Sequence, residues 1–128
     1  MKDGKVQIVV IYPISNALTL KLFIDRGEWS NAELIFLCTS EEVARIENGE
    51  IDLSQIDVIV WCGEEEVVMT FLEMKELMIR LKQKHSHIYM VGLFYFGDIR
   101  DWLKDVGFDH ISHMLVDLKD ALQERFNW

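Results

Sequence analysis

Five short apolar runs, separated by stretches of helical periodicity, constrain the fold more than any other feature of this sequence. The runs are Val6–Tyr12, Glu33–Cys38, Asp57–Cys62, Ile88–Phe96 and Phe108–Ser112. Strands that alternate with helices form right-handed βαβ units, which build a parallel sheet covered by helices on both faces. The sequence therefore predicts an α/β fold with a five-stranded parallel sheet, order 2-1-3-4-5, doubly wound with five helices.

The predicted helices fill the intervals between these strands and follow the last one. They span Ser15–Arg26, a short segment after Thr39, Glu64–His85, Asp98–Val106 and Val116–Phe126. Thr39 and Glu42 have the spacing of a capping box, and Gly49 lies just past the end of that short helix. Apolar residues recur along the longest helix at steps of four and three, at Val67, Phe71, Met74, Met78 and Leu81. This stripe predicts that one side of the helix packs on the sheet.

Length and charge point to a single acidic domain spanning residues 1–128. The chain has 128 residues, half of them hydrophobic, and a formal charge of −9. A domain of this length buries roughly two-thirds of the surface of its unfolded chain, which is enough for an unaided core. An acidic surface repels phosphate backbones, so we expect no binding of nucleic acid by this domain.

The expected compartment is the cytoplasm. No apolar run approaches the ~18 residues of a membrane span, and no signal peptide is visible before the first strand. The two cysteines, Cys38 and Cys62, both lie in apolar, strand-like runs. We expect buried thiols rather than a disulfide, and slow reaction of Cys62 with thiol reagents.

Three stretches of the chain resemble the receiver domain of bacterial response regulators. The first is Asp57-Val-Ile-Val-Trp-Cys62, which resembles the family's third strand. The second, Ile88-Tyr-Met-Val-Gly92, resembles the fourth strand. The third runs from Asp98 to His113 and resembles the fourth helix, a glycine turn and the fifth strand. The resemblance implies a flavodoxin-like fold and a role in signal transduction of the two-component type.

The positions that carry phosphotransfer chemistry in receivers hold other residues here. Receivers need carboxylates after the first strand to hold Mg²⁺, where this chain has Tyr12 and Pro13. The phosphate-accepting aspartate corresponds to Cys62, which cannot form an acyl phosphate. The resemblance maps the family's hydroxyl, lysine and switch aromatic onto Gly92, His113 and His110. It therefore implies a degenerate pseudo-receiver that is not an enzyme and needs no cofactor or metal.

The sequence leaves open two other functions for the residues at the carboxyl ends of the strands. Cys62 stands at the carboxyl end of a strand, where α/β folds bind ligands, so it could be a redox or nucleophilic thiol. The fold could also serve a small-ligand binder or enzyme, if the loop Tyr12-Pro-Ile-Ser-Asn16 cradled a phosphate. That loop has no glycine, which weighs against this alternative.

The expected partner of a pseudo-receiver is another protein. Receivers often pair through the fourth helix, fifth strand and fifth helix. In this chain that face would carry the interface candidates Trp102, Phe108 and Met114. Exposed Trp side chains are enriched among interface hot spots. We therefore expect a constitutive homodimer or a complex with a partner protein through this face. Receivers also commonly precede an output domain, so a longer parent protein is compatible with the resemblance.

Overall fold

The structure is a computed structural model and describes residues 5–11, 32–37, 39–62, 71–93, 106–112 and 115–126. Five parallel strands form one sheet in the order β2-β1-β3-β4-β5. They are β1 (Val6–Ile11), β2 (Ala32–Leu37), β3 (Val58–Cys62), β4 (Tyr89–Leu93) and β5 (His110–Ser112). The predicted topology is confirmed. It follows from the alternation of strands and helices, because right-handed crossovers leave few other arrangements.

Three helices lie in the described part of the chain. They are α1 (Ser40–Glu47), α2 (Phe71–Lys84) and α3 (Leu115–Phe126), with a 3-10 turn at Leu53–Gln55 before β3. Thr39 caps α1, since its hydroxyl accepts a hydrogen bond from the Glu42 amide at 3.2 Å, and this confirms the predicted capping spacing. The predicted helices Ser15–Arg26 and Asp98–Val106, and the start of Glu64–His85, fall on residues outside the described ones, apart from Val106.

The core has two layers, one on each face of the sheet. One layer packs strand residues such as Ile59 and Met90 against α1 and α2. The predicted stripe of α2 supplies Met74, Met78 and Leu81 to this layer, and Leu77 joins them. The other layer packs residues such as Val60 and Val91 against Leu118 and Leu122 of α3. Helix α3 therefore lies on the opposite face from α1 and α2.

Two aspartates fix the amino-terminal edge of the sheet. The Asp57 carboxylate accepts from the Gln7 amide at 2.9 Å, while the Asp57 amide donates to the Gln7 carbonyl. Asp109 repeats this arrangement with Met90, whose amide lies 2.8 Å from the carboxylate. Lys82 of α2 adds an ion pair to Asp109 at 2.6 Å.

These contacts also correct one predicted boundary. The fifth strand begins at His110 and not at Phe108. Asp109 turns its carboxylate back onto β4, and Phe108 packs beside the ring of Trp61, with the ring centroids 6.2 Å apart. Both residues precede the first paired position of the strand, which is His110 opposite Val91.

Candidate functional site

The carboxyl edge of the sheet is where a receiver carries its chemistry, and three strand ends line up there. Cys62 of β3 pairs with Leu93 of β4, which pairs in turn with Ser112 of β5. One residue earlier, Gly92 lies between Trp61 and Ile111. Adjacent parallel strands lie about 4.8 Å apart, so these residues form a continuous row along the edge.

The described part of this row is closed to solvent. Cys62 is 3% exposed and belongs to the apolar layer beneath α3, together with Val10 and Leu93. Its predicted burial is confirmed. Burial among apolar groups disfavours the thiolate, which is the reactive form. The arrangement is that of a packed thiol rather than an accessible nucleophile.

The described residues at this edge offer little to a phosphoryl group or a metal ion. β1 ends in Ile11, which is 1% exposed, and Gly92 has no side chain to donate a hydrogen bond. Within the described ranges, no group of three or more His, Cys, Asp or Glu side chains could hold a metal ion. The predicted positions Tyr12, Pro13 and His113 lie outside the described residues.

Ser112 is a polar residue at this edge that sequence reasoning missed. It is 0% exposed, and its hydroxyl has no hydrogen-bond partner among the residues that the structure describes. A buried hydroxyl is costly unless it is hydrogen-bonded, so Ser112 is an unexpected residue for an apolar strand end. The sequence could have pointed to Ser112, because it is a polar residue at the end of a predicted strand.

The predicted interface residues are only partly described. Trp102 and Met114 lie outside the described residues. Phe108 is half-buried and packs against the layer beneath α1 and α2, beside Trp61. Much of the Phe108 ring is therefore engaged within the domain.

His110, the predicted switch position, lies at the start of β5 and connects this strand to α3. Its Nε2 atom is 3.3 Å from Oδ2 of Asp117, and both side chains are partly exposed. The pair lies at one side of an open groove of about 500 Å³ between α3 and the first residues of β4 and β5. The groove is lined by Tyr89, His110, Asp117, Asp120, Ala121, Glu124 and Arg125. We call this surface the α3 groove.

Aromatic and charged groups meet in the α3 groove. The Arg125 guanidinium carbon lies 5.5 Å from the centroid of the Tyr89 ring and 5.3 Å from that of Phe126. Partial burial raises the pKa of Tyr89, and the Asp109 carboxylate raises it further, while Arg125 opposes the shift and Glu124 adds to it. The Tyr89 hydroxyl is therefore held in its neutral form beside carboxylates.

Comparisons with solved structures place this geometry among known folds. A receiver domain protein of Clostridium thermocellum superposes with a TM-score of 0.70 at 20% identity, covering 95% of this chain and 94% of that one. The response regulator TrrA of Thermotoga maritima, solved with Mg²⁺ and BeF, has a TM-score of 0.65 at 16% identity, covering 95% and 96% of the two chains. The chain has the receiver-domain fold.

A third similar structure carries a different name. It is a protein of Burkholderia pseudomallei that its name relates to pilus assembly, with a TM-score of 0.69 at 16% identity. The match covers 99% of this chain and 93% of that one. The sequence itself matches no protein-family model, and no curated protein is similar to it at a significant level. At these identities the likeness shows the fold, and the function has to be argued from the residues.

In the described ranges, no helix is long and apolar enough to cross a bilayer.

Proposed function

We propose that this chain is a pseudo-receiver, a receiver-type domain that acts without phosphorylation as a protein-interaction module in bacterial-type signalling or assembly. The observation that carries the proposal is the position of Cys62. It ends β3, the strand on which receivers carry the acceptor aspartate, and its side chain is 3% exposed in an apolar layer. A thiol cannot form the acyl phosphate on which receiver switching depends.

The neighbouring residues support the same reading. Gly92 stands where the resemblance expects a phosphate-contacting hydroxyl, and Tyr12 and Pro13 stand where it expects the carboxylates that hold Mg²⁺. Phosphotransfer would need several of these groups at once, because the metal ion and the acceptor act together. We therefore propose that this domain has no catalytic, metal or cofactor role. The proposal keeps the expected cytoplasmic location.

A receiver fold that cannot be phosphorylated can still act by binding other proteins through its surface. The similarity to a protein named for pilus assembly supports assembly as one setting for this fold. The alternative of a small-ligand binder needs accessible polar groups at the carboxyl edge. In the described part of that edge the polar side chains are Cys62 and Ser112, and both are buried.

The test is incubation of the purified domain with acetyl phosphate and Mg²⁺, followed by intact-mass spectrometry. We expect no phosphate adduct. The regulator TrrA, solved with Mg²⁺ and BeF, serves as the positive control under the same conditions. A phosphate adduct on any residue of this chain would refute the proposal.

The choice between a homodimer and a hetero-complex needs a second measurement. Light scattering across a concentration series gives the molar mass of the wild type and of Trp102→Ala. Loss of association in the variant, with its fold intact by circular dichroism, supports the predicted face. Unfolding of the variant would show that Trp102 belongs to the core.

A further inference from the structure

We infer that the α3 groove binds an arginine- or lysine-bearing segment of a partner protein, in preference to a second copy of this chain. The inference rests on the proposed interaction function and names the partner chemistry for one surface. The groove measures about 500 Å³, which is within the size range of binding clefts on proteins. It is bounded by a helix and two strand starts, so its shape is set by rigid elements.

Carboxylates dominate the lining of the groove. Asp117, Asp120 and Glu124 lie at steps of three and four along α3, which places them on one side of the helix, and all three are exposed. The basic groups of the lining are Arg125 and His110. The guanidinium of Arg125 lies over two aromatic rings, and His110 faces Asp117.

Two of these carboxylates, Asp120 and Glu124, are exposed and make no ion pair to another described residue. An incoming guanidinium or ammonium group would find two carboxylates about one helical turn apart.

A second copy of the chain fits this surface poorly. A two-fold dimer places the same patch of both subunits face to face. Each patch would bring three carboxylates against one guanidinium, on chains that each carry a net charge of −9. Like charges brought together at an interface cost several kcal/mol and suppress the wrong partner. A basic segment has the opposite sign and avoids this repulsion.

The test uses a short helical peptide of arginine and alanine as the probe, at an ionic strength of about 0.15 M. Titration calorimetry compares the wild type with the groove variant Asp120→Asn/Glu124→Gln. The matched control is Glu41→Gln/Glu76→Gln, because these exposed glutamates lie on α1 and α2. The control variant has the same net charge as the groove variant, but its substitutions lie on the helices that cover the opposite face of the sheet.

We expect the groove variant to weaken peptide binding about tenfold, since each exposed charge pair contributes up to about 0.7 kcal/mol and two are removed. The control should change the affinity less than twofold. Equal losses in the two variants would show general attraction to an acidic protein and would overturn the inference. Absence of peptide binding by the wild type would overturn it as well.

Light scattering on the same proteins decides the identity of the occupant. We expect the groove variant to have the same molar mass as the wild type. If the wild type is a dimer that the groove variant dissociates, the occupant is a second copy and the inference is wrong. Failure of the proposed function has a different readout, the phosphate adduct, so the two failures can be told apart.

Discussion

Replacing Cys62 with aspartate restores the residue type that the resemblance expects at the end of β3, and we predict that it destabilises the domain instead of restoring phosphorylation. Cys62 is 3% exposed, and it lies in the apolar layer beneath α3 with Val60 and Leu93. A carboxylate buried in such an apolar layer loses its hydration, which disfavours its charged form. Its pKa in the folded state then rises, by up to 3–5 units for a fully buried group.

The size of the effect follows from this shift. A folded-state pKa about 3 units above the unfolded value of about 3.9 corresponds to a loss of about 4 kcal/mol at neutral pH. That is a large part of a typical unfolding free energy of about 5–15 kcal/mol. Because the folded-state pKa is raised, the loss is absent below about pH 4, grows as the pH rises, and is complete above the folded-state pKa.

Urea unfolding of Cys62→Asp at about pH 4 and about pH 7.5 measures both the size and the sign of this effect. The matched control is Cys62→Ser, which buries a neutral hydroxyl at a cost of about 1–3 kcal/mol that does not vary with pH in this range. Equal stability of the two variants at neutral pH would show that the pocket solvates a charge. Phosphorylation of Cys62→Asp by acetyl phosphate would show that the edge retains its chemistry, and either result refutes the reasoning.

Three further predictions concern the described framework. Asp109→Ala should lower the unfolding free energy by about 1–3 kcal/mol in urea titrations, because it leaves the Met90 amide without its charged acceptor; a loss below about 0.5 kcal/mol would contradict this. Ser112→Ala should leave the melting temperature unchanged or raise it, since the buried hydroxyl has no partner in the described part of the chain, whereas a marked drop would reveal a polar role. The Ser54 hydroxyl and, to a smaller extent, the Ser54 amide donate hydrogen bonds to Asp52 and lower its pKa. These hydrogen bonds therefore stabilise the folded state above about pH 3.8, and this stabilisation is lost as the pH falls through the lowered folded-state pKa. The stability difference between Asp52→Asn and the wild type should shrink on acidification in the same way, and a constant difference would contradict it.

Hydrophobic periodicity predicted the alternation of strands and helices from which the fold was built. The stripe on α2 placed Met74, Met78 and Leu81 in the core, and all three are buried there. Leu77 was left out of the stripe although it is 1% exposed, because a helix buries positions three and four apart together and the buried face is wider than a single row. The order 2-1-3-4-5 was predicted as a common order of small doubly wound domains rather than from any particular residue.

The start of β5 could not be predicted in this way. Phe108 is an apolar residue at the start of the run Phe108–Ser112, which favours a strand that begins there. The hydrogen bond that fixes Asp109 in front of the strand joins it to Met90, which is 19 residues away in the sequence. No local pattern records a partner at that distance along the chain.

The candidate site also has one part that the sequence predicted and one part that it did not. Cys62 was placed at the carboxyl edge because it ends an apolar run, and its burial is confirmed. The α3 groove was not foreseen. It depends on which side of α3 faces the sheet and on how His110 and Tyr89 meet that helix in space, and those relations exist only after the strands have paired.

The two proposals have a common physical consequence for control. A receiver that is phosphorylated gains charge at its carboxyl edge and changes its binding surface in response. Under the proposed function, a chain whose acceptor position is a buried thiol would lack this input, and its surface would stay constant. Association through an acidic groove would then depend on the abundance of the basic partner and on ionic strength, because electrostatic attraction between exposed charges is screened by salt. This form of control predicts that binding weakens steeply with salt and does not change when acetyl phosphate is added. Binding that changes with acetyl phosphate would contradict it.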